Sequence, residues 1–234
     1  MNQELQQYIQ EKIFPQYEMF YSHNMLHINN VIQNVTFLAK EYSLDEQMAY
    51  VIAAYHDLGL KVDRENHEKE SDKIFAKDDI LKQYFTPEQL QIMKEAIEDH
   101  RGSRKERPRN RYGEILSDSD RDFDIKLLAK RQLATSIKNY PEFTTFDQHF
   151  EHCYAYIKKR IDAGGHFNLW TNHPVLVERR VQFEKDFFQK EYAREVYQKE
   201  WQRITTDGTY EKIQNYGLLN KEKLGQYVNT YPSF

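Results

Sequence analysis

Apolar residues recur along this chain with the three-to-four-residue spacing of amphipathic helices, and eight glycines and six prolines in 234 residues leave few breaks. Leu5, Ile9 and Ile13 mark one face of a first helix that ends near Pro15. A second helix is expected from Met25 to Tyr42, with Ile28, Val31, Val35 and Leu38 on its apolar side. Asp45 can cap a third, running to Asp57. Leu58 to Asn66 reads as a loop and His67 to Lys77 as a helix. Thr86-Pro87-Glu88-Gln89 has the form of a helix start, with proline in the first turn, and that helix runs to about His100. Arg101 to Arg111 is a polar, basic loop. Helices resume near Tyr112 and continue to about Asn139; another covers Phe146 to Ile161. His173-Pro174 opens a long helix toward Arg203, followed from Thr205 by a tyrosine-rich tail. No repeat or low-complexity linker interrupts the pattern. The expected fold is all-α, a helical bundle over residues 1–140 with additional C-terminal helices, 141–234, packed on the same domain.

The stretch Val51-Ile52-Ala53-Ala54-Tyr55-His56-Asp57-Leu58-Gly59 departs from amphipathic patterning. An apolar run that reads as a buried helix ends on a histidine and an aspartate side by side, and polar groups in such a place need partners. A hydrogen-bonded pair at a helix end, with Gly59 as the stop, is one solution; a divalent metal bound by imidazole nitrogen and carboxylate oxygen is another. Further histidines and acids surround the pair in sequence. His23 and His27 share a helix face at i, i+4. His67 opens His67-Glu68-Lys69-Glu70-Ser71, and His100 closes Ile97-Glu98-Asp99-His100. Asp118 and Asp120 lie two apart in Leu116-Ser117-Asp118-Ser119-Asp120-Arg121, near an expected helix start, where a carboxylate also serves as a cap.

Composition removes several classes of function. Net charge is −4, so no global basic field draws nucleic acid. Cys153 is the sole cysteine, which excludes a disulfide framework and a cysteine-based zinc site. No apolar segment approaches the roughly 20 residues of a membrane span, and the first residues lack a signal-peptide pattern, so a cytoplasmic protein without membrane partners is expected. Aromatic residues reach 14%, in keeping with a packed core.

The order His, His-Asp, His, His, Asp, each near a helix end, resembles the HD superfamily of metal-dependent phosphohydrolases over roughly residues 20–125. Three segments carry the resemblance: His23-Asn24-Met25-Leu26-His27, Ala53-Ala54-Tyr55-His56-Asp57-Leu58-Gly59, and Ser117-Asp118-Ser119-Asp120-Arg121. His67 with Ser71, and His100, are similar to the intermediate histidines of small bacterial HD hydrolases of the YedJ type. The resemblance implies that His27, His56, Asp57 and Asp120 bind a divalent ion (Mn, Mg, Fe, Co, Ni or Zn). Asp57, His67 and His100 are the implied catalytic residues, His67 and His100 being able to bind a second ion or contact phosphate. The substrate would be a small phosphate ester such as a nucleotide. His23, Lys61, Arg101 and Arg104 are candidates to contact it, the arginines through bidentate hydrogen bonds. Asn30-Val31 replaces the family's usual arginine-valine, the lysine after the signature glycine is displaced to Lys61, and Ser119 stands where alanine is usual.

Two imidazoles and two carboxylates suit a divalent cation on their own chemistry; such an ion lowers the pKa of bound water and polarises a phosphoryl oxygen. An HD-fold di-iron oxygenase, with Asp57 bridging, is the first alternative; a non-catalytic ligand-sensing protein with a structural metal is the second. His149 and His152 beside Cys153 have metal-like spacing but no third ligand, and read as packing residues. Gly164-Gly165-His166 and Trp170 to His173 read as a loop packed on the core that can border the pocket. The mixed aromatic and charged helix from Val175 to Arg203 is expected to bury one side against the bundle, or against a second copy in a homo-oligomer.

Overall fold

The computed structural model describes residues 1–19, 23–121, 123–162 and 167–215; Gly164-Gly165-His166 and the tail beyond residue 215 lie outside them. The described residues are helices and connecting turns, with no strand among them, and the fold is all-α. No described helix is long and apolar enough to cross a membrane. Contacts divide the chain into two compact units whose sequences interleave: Met1–Arg121 with Ala163–Glu178, and Asp122–Asp162 with Arg179–Phe234.

The first unit is built around one helix. α1 covers Gln3–Tyr8 and winds on through a wider π turn, Ile9–Ile13, and a 3-10 segment, Phe14–Met19. α2 is Met25–Glu41, α3 Glu46–Tyr55, α4 His67–Ala76, α5 Pro87–Asp99 and α6 Arg111–Ser119. Every residue of α3 from Met48 to Tyr55 is buried. A helix that is apolar all round must be surrounded, and α3 packs against α2, α4, α5 and α6. α2 meets this demand with one stripe, His27, Ile28, Val31, Val35, Leu38 and Ala39, so His27 lies on the core side.

Local chemistry sets where these helices start. Asn24 accepts from the Leu26 amide at 3.0 Å, and Asp45 from those of Gln47 and Met48 at 2.7 and 3.3 Å. Thr86 and Gln89 form a reciprocal capping box ahead of α5, with Pro87 in its first turn. Asn110 accepts from Gly113 to start α6.

One expected run resolves into two helices, and one expected helix is broken. The run from Tyr112 to Asn139 divides into α6 and α7, Ile125–Asn139, because Asp124 caps a new start by accepting from Lys126 and Leu127. Asp118 and Asp120 therefore lie at the C-terminal end of α6, not at a helix start as their spacing suggested. The run from Pro174 divides into α9, Pro174–Phe188, and α10, Lys190–Thr206, at Gln189, which offers no side-chain cap. In the second unit α7, α8 (Phe146–Asp162) and α10 pack on one another. Its core holds Phe150 edge-on to Tyr197 and Tyr154 stacked on Phe187. His149 is buried there against Trp201, with Nδ1 2.8 Å from the Ser136 hydroxyl, and Cys153 is buried nearby in sequence; these are packing residues.

The residue after the His56-Asp57 pair that fixes the fold is Gly59, in the 3-10 turn Leu58–Lys61. A Cβ there would lie 2.0 Å from the His67 carbonyl oxygen and 2.5 Å from the Ser71 amide nitrogen. Its own amide donates to the Ser71 hydroxyl at 2.8 Å. Glycine is required by the close approach of α4, rather than as the left-handed stop expected from sequence. Gly59→Ala must push the start of α4 outward and carry His67 with it. The expected loss is at the upper end of the ~1–3 kcal/mol typical of overpacking, or a fall of about 5–10 °C in thermal midpoint for a chain of this size. An unchanged midpoint by calorimetry would show that α4 moves freely.

Candidate metal centre

Three helices end at the same place. His56 is the C-terminal cap of α3, His100 that of α5 and Asp120 that of α6. The last carbonyls of a helix carry partial negative charge and favour cations. Here two carboxylates, Asp57 and Asp120, are added to that negative end. From the other side α2 contributes His27 and α4 contributes His67, its first residue.

The side chains form two groups that share Asp57. In the first, His27 Nε2 lies 3.5 Å from Asp57 Oδ2 and 3.0 Å from Asp120 Oδ1. His56 Nε2 lies 3.3 Å from Asp57 Oδ2 and 3.7 Å from Asp120 Oδ1. In the second, Asp57 Oδ1 faces His67 Nε2 at 3.6 Å and His100 Nε2 at 3.7 Å. One carboxylate thus turns one oxygen to each group. The spacings suit a cation at the centre, since metal–ligand bonds of about 2.1 Å separate neighbouring ligand atoms by about 3 Å and opposite ones by about 4 Å.

Hydrogen bonds decide which nitrogen of each ring faces inward. Nδ1 of His56 lies 2.8 Å from the Ala53 carbonyl, Nδ1 of His100 2.6 Å from the Ile97 carbonyl, and Nδ1 of His67 3.2 Å from the Arg64 carbonyl. A carbonyl only accepts, so each Nδ1 carries a proton and each ring turns its Nε2 toward the carboxylates. Metal-binding histidines are held in the same way. Nε2 of His56 and of His100, with Asp57 Oδ2, are buried and make no hydrogen bond. Lone pairs facing carboxylate oxygens in a buried site repel unless a cation lies between them. The donor set fits a divalent ion of the borderline or hard kind.

Protonation shows the same demand. Burial opposes charge on His56, yet Asp57 and Asp120 override it and raise its pKa to about 10. Burial likewise opposes charge on Asp57, but His56 and His23 hold it well below the usual carboxylate range. Asp120 is also lowered, against its burial, by His27 and His56. His67 is shifted down by burial and by the neighbouring His100, which favours a neutral ring.

Other candidate residues are placed unevenly. His23 reaches the rim, with Nε2 4.0 Å from Asp57 Oδ2 and its ring edge-on to His27. Lys61 Nζ donates to Gln16 Oε1 at 2.5 Å, and burial lowers its pKa. Arg101 hydrogen-bonds the Glu65 carbonyl and pairs with Glu68 at 3.3 Å; Glu68 in turn lies 3.6 Å from His67 Nδ1. Arg104 is turned to Asp99, at 3.1 Å, and to Glu106. The basic loop is tied down elsewhere too: Arg109 grips Asp99 and Glu98, while Arg107 and Arg111 both pair with Glu114.

Sequence reasoning missed two contributors. Tyr17 is buried and its hydroxyl donates to the Ala54 carbonyl at 2.9 Å, satisfying an acceptor in the last turn of α3. Asp118 is fully buried and faces residues some fifty positions downstream. Only the position of these groups in three dimensions marks them. Ser119 is buried with its hydroxyl unsatisfied, which accords with alanine being usual at that place.

Residues 25–123 match the HD domain family model. That span contains His27, His56, Asp57, His67, His100 and Asp120. A crystal structure of a predicted HD superfamily hydrolase from an uncultured Thermotogales bacterium is similar at 21% identity, covering 82% of this chain and 98% of that chain, with a TM-score of 0.48. No curated protein is a significant match.

The raised pKa of His56 has a sign that can be measured. In metal-free protein its charge adds stability that is full below the unfolded histidine pKa of about 6.5 and is lost as pH rises through about 10. A metal at Nε2 must displace that proton. Binding at pH 7 should therefore release about one proton, and apparent affinity should climb with pH toward about 10. Titration calorimetry of Mn²⁺ in two buffers of different ionisation enthalpy reads the release directly; identical heats in both would refute it.

Proposed function

We propose, with the HD domain match of residues 25–123 as premise, that this protein is a metal-dependent phosphohydrolase acting on a small phosphate ester, of which a nucleotide is one. The observation that carries this reading is the division of Asp57 between two histidine groups, each presenting Nε2 to one of its oxygens. His27, His56, Asp57 and Asp120 would hold one divalent ion. When bound, that ion supplies a Lewis acid to polarise a phosphoryl oxygen and to lower the pKa of water.

The chain's own residues supply the rest. Asp57 Oδ1, His67 and His100 form the second group, which takes a second ion or the phosphate itself. His100 is fully buried, while the His67 side chain keeps 16% of its surface exposed, so His67 forms the solvent edge. Burial and His100 favour its neutral ring, with Nδ1–H bound to the Arg64 carbonyl and Nε2 placed to accept a proton from the attacking water. His23 borders the first group from α2's entry turn, in reach of a substrate contact. Lys61 and Arg101 flank the second group in sequence and can offset phosphate charge; the pairing of Arg104 with Asp99 makes it a loop anchor instead.

A second reading draws on the same geometry. Two imidazoles and a shared carboxylate on each side also suit paired irons, so an HD-fold di-iron oxygenase is the alternative. Metal analysis of protein as purified, with Mössbauer spectroscopy for coupled ferric ions, separates the two.

The test is a panel of phosphomonoesters and phosphodiesters assayed with Mn, Mg, Fe, Co, Ni and Zn. Turnover with at least one metal, abolished by chelation and by Asp57→Asn, is expected. No turnover on any substrate, together with coupled iron, would favour the oxygenase.

Replacing His67 or His100 separates holding a first ion from acting on substrate. His67→Ala and His100→Ala should retain one equivalent of metal and lower turnover about 100-fold or more, the scale of a lost proton-transfer group. Full activity in both would remove the second group from the mechanism. Loss of the first ion in either would show that the two groups bind as one.

A further inference from the structure

We propose that Asp118 is a positioning residue for Asp120, and that the segment Phe167 to His173 forms the support through which it acts. The inference rests on the metal reading above, in which Asp120 is a ligand.

Asp118 and Asp120 share the last turn of α6 but face different partners. Asp118 has no solvent exposure. Its Oδ1 accepts from the Trp170 amide at 2.8 Å; its Oδ2 accepts from the Thr171 amide at 2.9 Å and the Thr171 hydroxyl at 2.6 Å. Three donors from one short segment converge on one carboxylate, an arrangement no neutral side chain reproduces. Arg121 closes the network: it lies 3.5 Å from Asp118 and hydrogen-bonds the carbonyl and hydroxyl of Ser117. A carboxylate at a helix C-terminus is disfavoured by the helix dipole, so these donors are what keep it there.

Asp120 lacks such a frame. Its side chain remains 23% exposed, and among the described residues the groups that meet its carboxylate are His27 at 3.0 Å and His56 at 3.7 Å. It caps α6, with its amide donating to the Leu116 carbonyl at 2.9 Å. The direction of its carboxylate therefore follows the backbone of that last turn. What fixes the turn is Asp118, held from residues 170 and 171. The HD match ends at residue 123, yet the first compact unit takes in Ala163–Glu178 as well. The returning segment completes the support of a ligand that the matched region alone leaves on a free helix end.

A mere loop anchor would behave differently. Breaking it would lower stability equally with and without metal and leave metal affinity unchanged. Asp118→Asn keeps the shape but places an amide NH₂ against a donor. The measurement is Mn²⁺ affinity by titration calorimetry on the full chain, together with the metal-induced rise in thermal midpoint. Asp118→Asn should raise the Mn²⁺ Kd about tenfold, as loss of supporting groups around ligands does, and shrink the metal-induced rise. Thr171→Val, which removes one donor and leaves both amides, should raise Kd about threefold, and Thr171→Ser should restore it.

The decisive arm repeats Asp118→Asn in an Asp120→Asn background. There the effect on Kd should fall below about twofold, because it acts through Asp120. The same fold-loss in both backgrounds, or an unchanged Kd in folded Thr171→Val, overturns the inference while leaving the metal reading intact. A wild-type protein that binds none of the divalent ions overturns both, and if Asp118→Asn fails to fold the threonine pair carries the test.

Discussion

Negative charge accumulated at one point is the constraint on which the first unit depends. Three helix C-termini meet at His56, His100 and Asp120, and two carboxylates are added to them. Dipole ends of that sign are each worth a few tenths of a kcal/mol to about 2 kcal/mol toward a cation, the upper end where burial excludes water. Without a metal the chain meets the demand with a proton on His56, held far above its ordinary pKa. A proton is a poor substitute, because it satisfies one lone pair where several converge. His100 Nε2 remains buried and, among the described residues, without a hydrogen bond. Removing either carboxylate would relieve the repulsion, whereas a multivalent cation would turn it into attraction.

That convergence follows from how α3 is buried. Its residues Met48 to Tyr55 leave no polar face, so four helices must cover it. Each covering helix then ends or begins close to the point where α3 does. The rings are held by carbonyls three residues earlier in the chain: Ala53 for His56, Ile97 for His100 and Arg64 for His67. Orientation of the ligands is therefore largely local, encoded within one turn. Gly59 supplies the one long-range condition, letting α4 approach closely enough for His67 to face Asp57.

The fold class and the convergence of His27, His56, Asp57 and Asp120 were legible because their signals are local or rare. Helical periodicity survives in a single sequence, and histidine next to aspartate at the end of an apolar run is uncommon enough to notice. The break between α6 and α7 was not legible. Apolar spacing runs across it, and only the Asp124 cap marks a new start. Misplacing that break put Asp118 and Asp120 at a helix beginning, where a carboxylate is ordinary, rather than at an end, where it needs explanation. The loop from Trp170 to His173 reads as packed on the core, but nothing in Trp170-Thr171 announces its partner, a carboxylate fifty residues upstream.

The stretch Arg101 to Arg111 shows why charge counts mislead about substrates. Six basic residues next to His100 read first as a solvated loop and second as a rim that attracts phosphate. In the fold four of the arginines are consumed by acids: Arg104 and Arg109 by Asp99, Arg107 and Arg111 by Glu114. Asp99 is itself fully buried beside His100 in sequence, and the fork of Arg109 across both its oxygens fixes the end of α5. The loop's arginines are thus paired with acids, and two of them, through Asp99, brace the end of α5 that carries His100. Arg101 differs because its partner is Glu68, which borders His67. Recognition of a phosphate would then fall to whatever cations the two histidine groups carry, aided by one arginine. On the proposed reading such a site would select for the phosphoryl group and place few demands on the rest of the ester, because its recognition would rest on charge at the centre rather than on contacts farther out.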